Sequence, residues 1–184
     1  MTDKAKSIIK RVAVVAAAAV IGLCLGYLVS SYEVRFMLAR EYEGSYKGIE
    51  IYSCGDINRD IMDAHQSMLR SVPDELLKGC RRIYFTGSDI DIPVNDSGYG
   101  QALGLTQGGT VYVSTRTFGA DVVVHELFHT YDAACGMLSS NDEDFIAAYD
   151  AEKDNIRIIA GHSSHYPSEF FAEAGAMYII SPFE

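Results

Sequence analysis

The stretch that decides the fold is Val122-Val123-Val124-His125-Glu126-Leu127-Phe128-His129, a His-Glu-x-x-His pattern behind three apolar residues. Side chains four apart stack on one helix face, so both imidazoles can reach a single metal ion. Glu126, next to the first histidine, is placed to take a proton from a water at that ion. An amphipathic helix with two packed histidines would show the same letters, so a metal reading needs a third ligand elsewhere in the chain.

The helix is expected to start near Gly119-Ala120-Asp121 and to end by Gly136, a suitable C′ glycine. Val124, Leu127, Phe128 and Tyr131 form its apolar side, while His125, Glu126, His129 and Asp132 gather on the other. A helix built only for packing would not usually collect four polar groups in this way. Just upstream, Tyr99–Thr106 and Thr110–Ser114 read as two strands joined across Gln107-Gly108-Gly109. The glycines in the first strand suit an exposed edge, where a peptide could add itself as a further strand.

Earlier still, Gly48–Tyr52 and Arg81–Thr86 read as strands. Between them Ile57, Ile61, Ala64, Met68 and Leu69 recur at helical spacing up to Ser71-Val72-Pro73. His65 in that helix is expected to serve packing or the surface. Asp89–Ser97 reads as a solvated turn, and Asn141–Ile159 as a helix anchored by Phe145, Ile146, Tyr149 and Ile156. Cys54 and Cys80 are the more natural disulfide pair, leaving Cys135 as a free thiol.

Val12–Val29 is an uncharged run of 18 residues preceded by Lys4, Lys6, Lys10 and Arg11. Such a run just spans a bilayer, and its basic flank should stay in the cytoplasm. The expected organisation is a basic cytoplasmic segment at 1–11, a transmembrane signal anchor at 12–30, a linker at 31–47 and one exported domain at 48–184. A cleaved signal peptide is the alternative for the first part. Beyond residue 31 the chain carries 11 Lys and Arg against 24 Asp and Glu, a formal net charge of −13. That balance argues against nucleic acid as a partner, since phosphate binding needs a basic patch, and suits a neutral or cationic peptide.

The third ligand is offered by Pro167-Ser168-Glu169-Phe170-Phe171-Ala172-Glu173-Ala174, which opens another helix. Glu169 and Glu173 share one face, so one can reach the metal while the other accepts a hydrogen bond from a ligating histidine. Acids also suit a helix start electrostatically, which accounts for Glu169 but not for the recurrence of Glu173 on the same face. A third histidine close behind the first pair is missing from Thr130–Gly136, so glutamate ligation is preferred to an all-histidine site.

With His125-Glu126-Leu127-Phe128-His129 and Glu169-Phe170-Phe171-Ala172-Glu173 set 40 residues apart from His129 to Glu169, the chain resembles a family of zinc metallopeptidases. These are similar to the catalytic domain of anthrax toxin lethal factor and include the Pro-Pro endopeptidases. The resemblance runs from about Tyr99 to the C-terminus. It implies an α+β, zincin-like fold with a small mixed sheet, an edge hairpin, an active-site helix and a C-terminal ligand helix. It also implies one zinc ion on His125, His129 and Glu169, with Glu126 as general base and Glu173 and Asp132 behind the ligands. The expected partner is a peptide or protein substrate, with the membrane reached through the N-terminal helix. Two departures stand out. Phe128 replaces the glycine often found before the second histidine. The tyrosine usual seven residues before the ligand glutamate is His162 here, so His162 or Tyr166, with His165 beside them, is the expected oxyanion donor. The competing expectation is a non-catalytic zinc-binding accessory protein on the same scaffold.

Overall fold

A computed structural model of the chain describes residues 39–94, 98–117, 119, 121–153 and 166–180. The chain divides into two compact units, Met1–Arg40 and Glu41–Glu184. The first lies almost wholly outside the described residues, and the expected membrane helix at 12–30 lies there with it. Among the described residues no helix is long and apolar enough to cross a membrane.

The second unit is a mixed α+β structure around a five-stranded sheet. Its strands are β1 (Arg40–Tyr46), β2 (Ile49–Cys54), β3 (Arg82–Thr86), β6 (Gly104–Gln107) and β7 (Thr110–Ser114), in the order β1-β2-β3-β7-β6. β2, β3 and β7 run parallel, in register Ile51↔Ile83↔Val111. Parallel neighbours need a crossover, and between β2 and β3 helix α1 (Arg59–Ser71) supplies it. The Asn58 side chain accepts from Asp60 N and Ile61 N and so caps the helix. Strand alternation sends Ile49, Ile51, Ile83, Phe85, Val111 and Val113 into one core, together with Met62 and Leu69 of α1. The opposite face stacks Tyr52 on Tyr84 and Tyr84 on Tyr112, with ring centroids 5.1 and 5.5 Å apart.

Several expectations are corrected here. Arg40–Tyr46, expected within a linker, is a sheet strand joined to β2 by a two-residue turn in which Lys47 and Gly48 both have positive φ. Tyr99–Thr106 is two strands rather than one. Gly98–Ala102 forms β5 and pairs with β4 (Ile90–Val94) in a separate small sheet, and only Gly104–Gln107 joins the main sheet. β4 occupies ground expected to be solvated turn. Its one acid, Asp91, falls between Ile90 and Ile92, Ile90 is fully buried, and Pro93 is tolerated because the two-stranded sheet is all edge. The β6–β7 hairpin itself closes through Gly108-Gly109, with φ of 56° and 77°, the mirror-image turn that two glycines permit.

His65 is buried and stacks on Phe85 at 5.8 Å, so its role is packing. Cys54, Cys80 and Cys135 form no disulfide with one another. Cys54 ends β2 while Cys80 precedes β3, and because the two strands are parallel the two thiols sit at opposite ends of the sheet. Burial pushes the Cys80 thiol up to about 12.

Three further helices complete the unit. They are α2 (Val122–Ala134), α4 (Glu143–Glu152) and α5 (Pro167–Ile180), with a single turn, α3 (Leu138–Asn141), between the first two. The expected helix from Asn141 is interrupted, because Asp142 caps α4 through Phe145 N at 2.9 Å; residues 154–159 lie outside the described set. α2 ends in a Schellman motif. Met137 N donates to Asp132 O and Gly136, at φ 91°, donates to Ala133 O.

Candidate metal centre

α2 lies against β6 and β7, burying Val123, Val124 and Leu127 completely. That packing fixes the rotation of the helix about its axis. His125 and His129, one turn apart, consequently share the side turned to α5. The orientation is worth a good deal: truncating a fully buried Leu127 to alanine costs about 2–5 kcal/mol.

α5 is brought to α2 by an aromatic cluster and by small residues. Phe145 of α4 packs edge-on against Phe171 at 5.2 Å and Phe170 at 6.2 Å, and Phe171 meets Phe128 of α2 at 5.8 Å. Tyr149 closes on Phe170 at 5.3 Å. Ala172 and Ala176 are buried. At Gly175 a Cβ would lie within 3.0 Å of three atoms of the Phe128 ring, so the ring uses the space that any side chain would take. Phe128, the departure from the usual glycine, is thus matched by a glycine on the facing helix.

This contact delivers Glu169 and Glu173 to the histidines. His125 Nε2 stands 3.2 Å from His129 Nε2 and 3.3 Å from Glu169 Oε2, and His129 Nε2 stands 3.5 Å from Glu169 Oε1. Bonds of 2.0–2.1 Å to a tetrahedral ion put neighbouring donors roughly 3.3 Å apart. The group His125, His129 and Glu169 therefore has the spacing to hold one metal ion. On its far side, His125 Nδ1 donates to Glu173 Oε2 at 3.2 Å, which leaves the Nε2 lone pair for the metal.

The electrostatics of the metal-free chain agree. Burial opposes a charge on His125, but hydrogen bonds to Glu169 and Glu173 outweigh it and lift the imidazole to about 10. Hydrogen bonds from His125 and His129 hold the Glu169 carboxyl far below the ordinary carboxylate range. The carboxylates that would accompany a metal thus favour a charged His125 in its absence. Glu126 is different: it is buried, burial raises its pKa, and both histidines and Thr106 pull it back.

Glu126 faces β6. Thr106 Oγ1 donates to Glu126 Oε2 at 2.7 Å, and a Cβ at Gly104 would lie 2.5 Å from Glu126 Oε1. The cleft between α2, α5 and the β6 edge has a volume of about 1120 Å³ and is lined by Leu103, Thr106, His125, Glu126, His129 and Glu169 among others.

The expected ligands and the glutamate base are thus brought into one cleft. Asp132 borders the same cleft, but it gives both carboxylate oxygens to Ser139, accepting from its N at 2.8 Å and its Oγ at 2.6 Å, so it braces the start of α3 rather than the two histidines. Tyr166 is half exposed just before α5, where its carbonyl accepts from Phe170 N, and it is not among the described residues that line the cleft. His162 and His165 lie outside the described residues. Thr106, Gly104 and Gly175 were not singled out from the sequence. The i, i+2 spacing of Gly104 and Thr106 on an edge strand is the one local signal that could have marked the first two.

No family model matches the chain, and no curated protein matches it. Among solved structures it is similar to the Pro-Pro endopeptidase PPEP-2 from Paenibacillus alvei, with a TM-score of 0.55 and 20% sequence identity over 72% of this chain and 85% of that one. At that identity the likeness speaks for the fold, and the second unit shares the architecture of this endopeptidase.

Proposed function

We propose that the chain is a zinc-dependent endopeptidase, and that His125, His129 and Glu169 hold the ion. The observation that carries this reading is the convergence of both Nε2 atoms and the Glu169 carboxylate at tetrahedral spacing, with Glu126 buried in the same cleft. When bound, zinc would acidify a water and polarise the peptide carbonyl. Glu126 accepts the proton of the attacking water and later passes it to the departing amine. A base whose pKa is raised by burial is better suited to both transfers than an ordinary exposed carboxylate. Glu173 keeps His125 in the ligating tautomer. The edge of β6 offers unpaired backbone groups along which a substrate strand can align. His162 or Tyr166 would supply the oxyanion donor, through the segment that precedes α5.

The apolar run at 12–29 behind its basic flank supports a form tethered to a membrane, with the catalytic unit on the far side from the cytoplasm. The Pro-Pro endopeptidase activity named for the structural neighbour makes peptides with paired prolines the first substrates to try. The test is zinc content and peptide cleavage by the full chain in detergent, beside Glu126→Gln. Cleavage should fall by at least about 10³-fold in the variant while zinc stays bound. Hydrolysis that survives the substitution removes Glu126 from the mechanism. A second reading, a zinc-binding accessory protein without turnover, is favoured by the position of Tyr166 away from the cleft lining. Bound zinc with no hydrolysis across a broad peptide library would select it.

A further inference from the structure

We propose that Thr106, on the edge strand beside the cleft, is a positioning residue that holds the Glu126 carboxylate in the orientation from which it takes its proton. The inference rests on the peptidase reading above and adds a residue to it. Thr106 Oγ1 lies 2.7 Å from Glu126 Oε2 and 3.0 Å from Glu126 O. A hydroxyl has one proton to give. The shorter and charge-assisted bond goes to the carboxylate.

The carboxylate is confined from the same strand at a second point. Gly104, two residues earlier and so on the same strand face, leaves room only because it has no side chain: a Cβ there would lie 2.5 Å from Oε1 and 2.7 Å from Cγ of Glu126. The strand therefore holds Oε2 by a hydrogen bond, and the missing side chain at Gly104 leaves the space that Oε1 occupies. A glutamate has three rotatable bonds, and a buried one with no such partner could turn its oxygens away from the ligand histidines. Thr106 removes that freedom before substrate arrives, so its effect belongs to the chemical step and not to substrate binding.

The test compares Thr106→Val, which keeps the shape and removes the hydroxyl, with Thr106→Ser, which restores it, in the full zinc-loaded protein. The valine variant should lose roughly 10- to 100-fold in kcat, the loss expected for one oriented bond to a charged group, with KM changed by less than about twofold. Zinc content should match the wild type, and the serine variant should recover kcat to within about threefold. A crystal structure of Thr106→Val should show the Glu126 carboxylate rotated or spread over more than one rotamer. A valine variant that keeps kcat to within about twofold, or a serine variant that fails to recover it, overturns the proposal. If the wild-type protein cleaves no peptide, the peptidase reading fails on its own account. The crystal comparison then decides, and an unmoved Glu126 in Thr106→Val ends the case for positioning.

Discussion

Gly175→Ala tests whether the contact between α5 and α2 sets the metal site. Helix propensity alone favours alanine over glycine at an interior position by about 1 kcal/mol. Here the new Cβ would come within 3.0 Å of three Phe128 ring atoms, whereas carbon contacts normally sit at roughly 3.5–4.0 Å. Ring or helix must give by roughly 1 Å, at an overpacking cost of about 1–3 kcal/mol. Phe128 is backed by Phe171, which Phe145 backs in turn, so part of the movement falls on α5. The His125 bonds to Glu173 and Glu169, at 3.2 and 3.3 Å, would then pass out of hydrogen-bonding reach. Losing an outer partner of a ligating histidine weakens metal binding by about 10- to 100-fold. Zinc affinity, measured by competition with a chromophoric chelator, should fall by at least about tenfold, and the metal-free variant should melt no higher than the wild type despite its better propensity. Adding Phe128→Ala should relieve the clash, with a coupling of about 1 kcal/mol or more in the double-mutant cycle. Wild-type zinc affinity together with a raised melting temperature in Gly175→Ala would refute the argument.

Three more outcomes follow from the same geometry. A metal needs neutral imidazole, and His125 in the metal-free chain titrates near 10. Zinc uptake at pH 8 should therefore release about one proton, read by calorimetry in buffers of different ionisation enthalpy; release near zero would contradict the shift. In the metal-free chain a raised histidine gives stability that is full below its unfolded value of 6.5 and is lost as pH rises through about 10. The depressed Glu169 gives stability that is present above 4.5 and is lost as pH falls. The melting temperature in chelator should accordingly decline from pH 6.5 towards 10, and a rise over that interval would count against the pairing. Asp132→Ala should cost about 2–3 kcal/mol by stranding the buried Ser139 while leaving zinc stoichiometry intact, and loss of zinc at unchanged stability would return Asp132 to the metal site.

The group that could hold a metal was legible because its spacing is local. Two histidines at i, i+4 and two glutamates at i, i+4 each define a helix face without reference to anything distant. The distance between those faces was not legible, since it depends on Phe128 meeting Gly175 and on a cluster drawn from three helices. Asp132 was misjudged for a related reason. Its place on the polar side of the helix is a matter of periodicity, but its partner is the backbone of the next turn, which only the Schellman ending brings round. β1 and β4 were hidden by their charged residues, because an edge strand need bury only one face. The split at Leu103 was hidden too: Tyr99–Thr106 reads as one extended run, and nothing local says that its two halves pair with different partners.

The Gly108-Gly109 turn has a consequence far from its own position. Side chains along β6 alternate, so Gly104 and Thr106 meet Glu126 while Leu105 stands beside Tyr112 on the other face. The parity of that alternation is counted from the turn. A one-residue slip of β6 against β7 would present Leu105 to the carboxylate in place of a hydroxyl and a bare backbone. The cleft's chemistry therefore has a counting constraint: the register set at a glycine turn decides which side chain Glu126 meets.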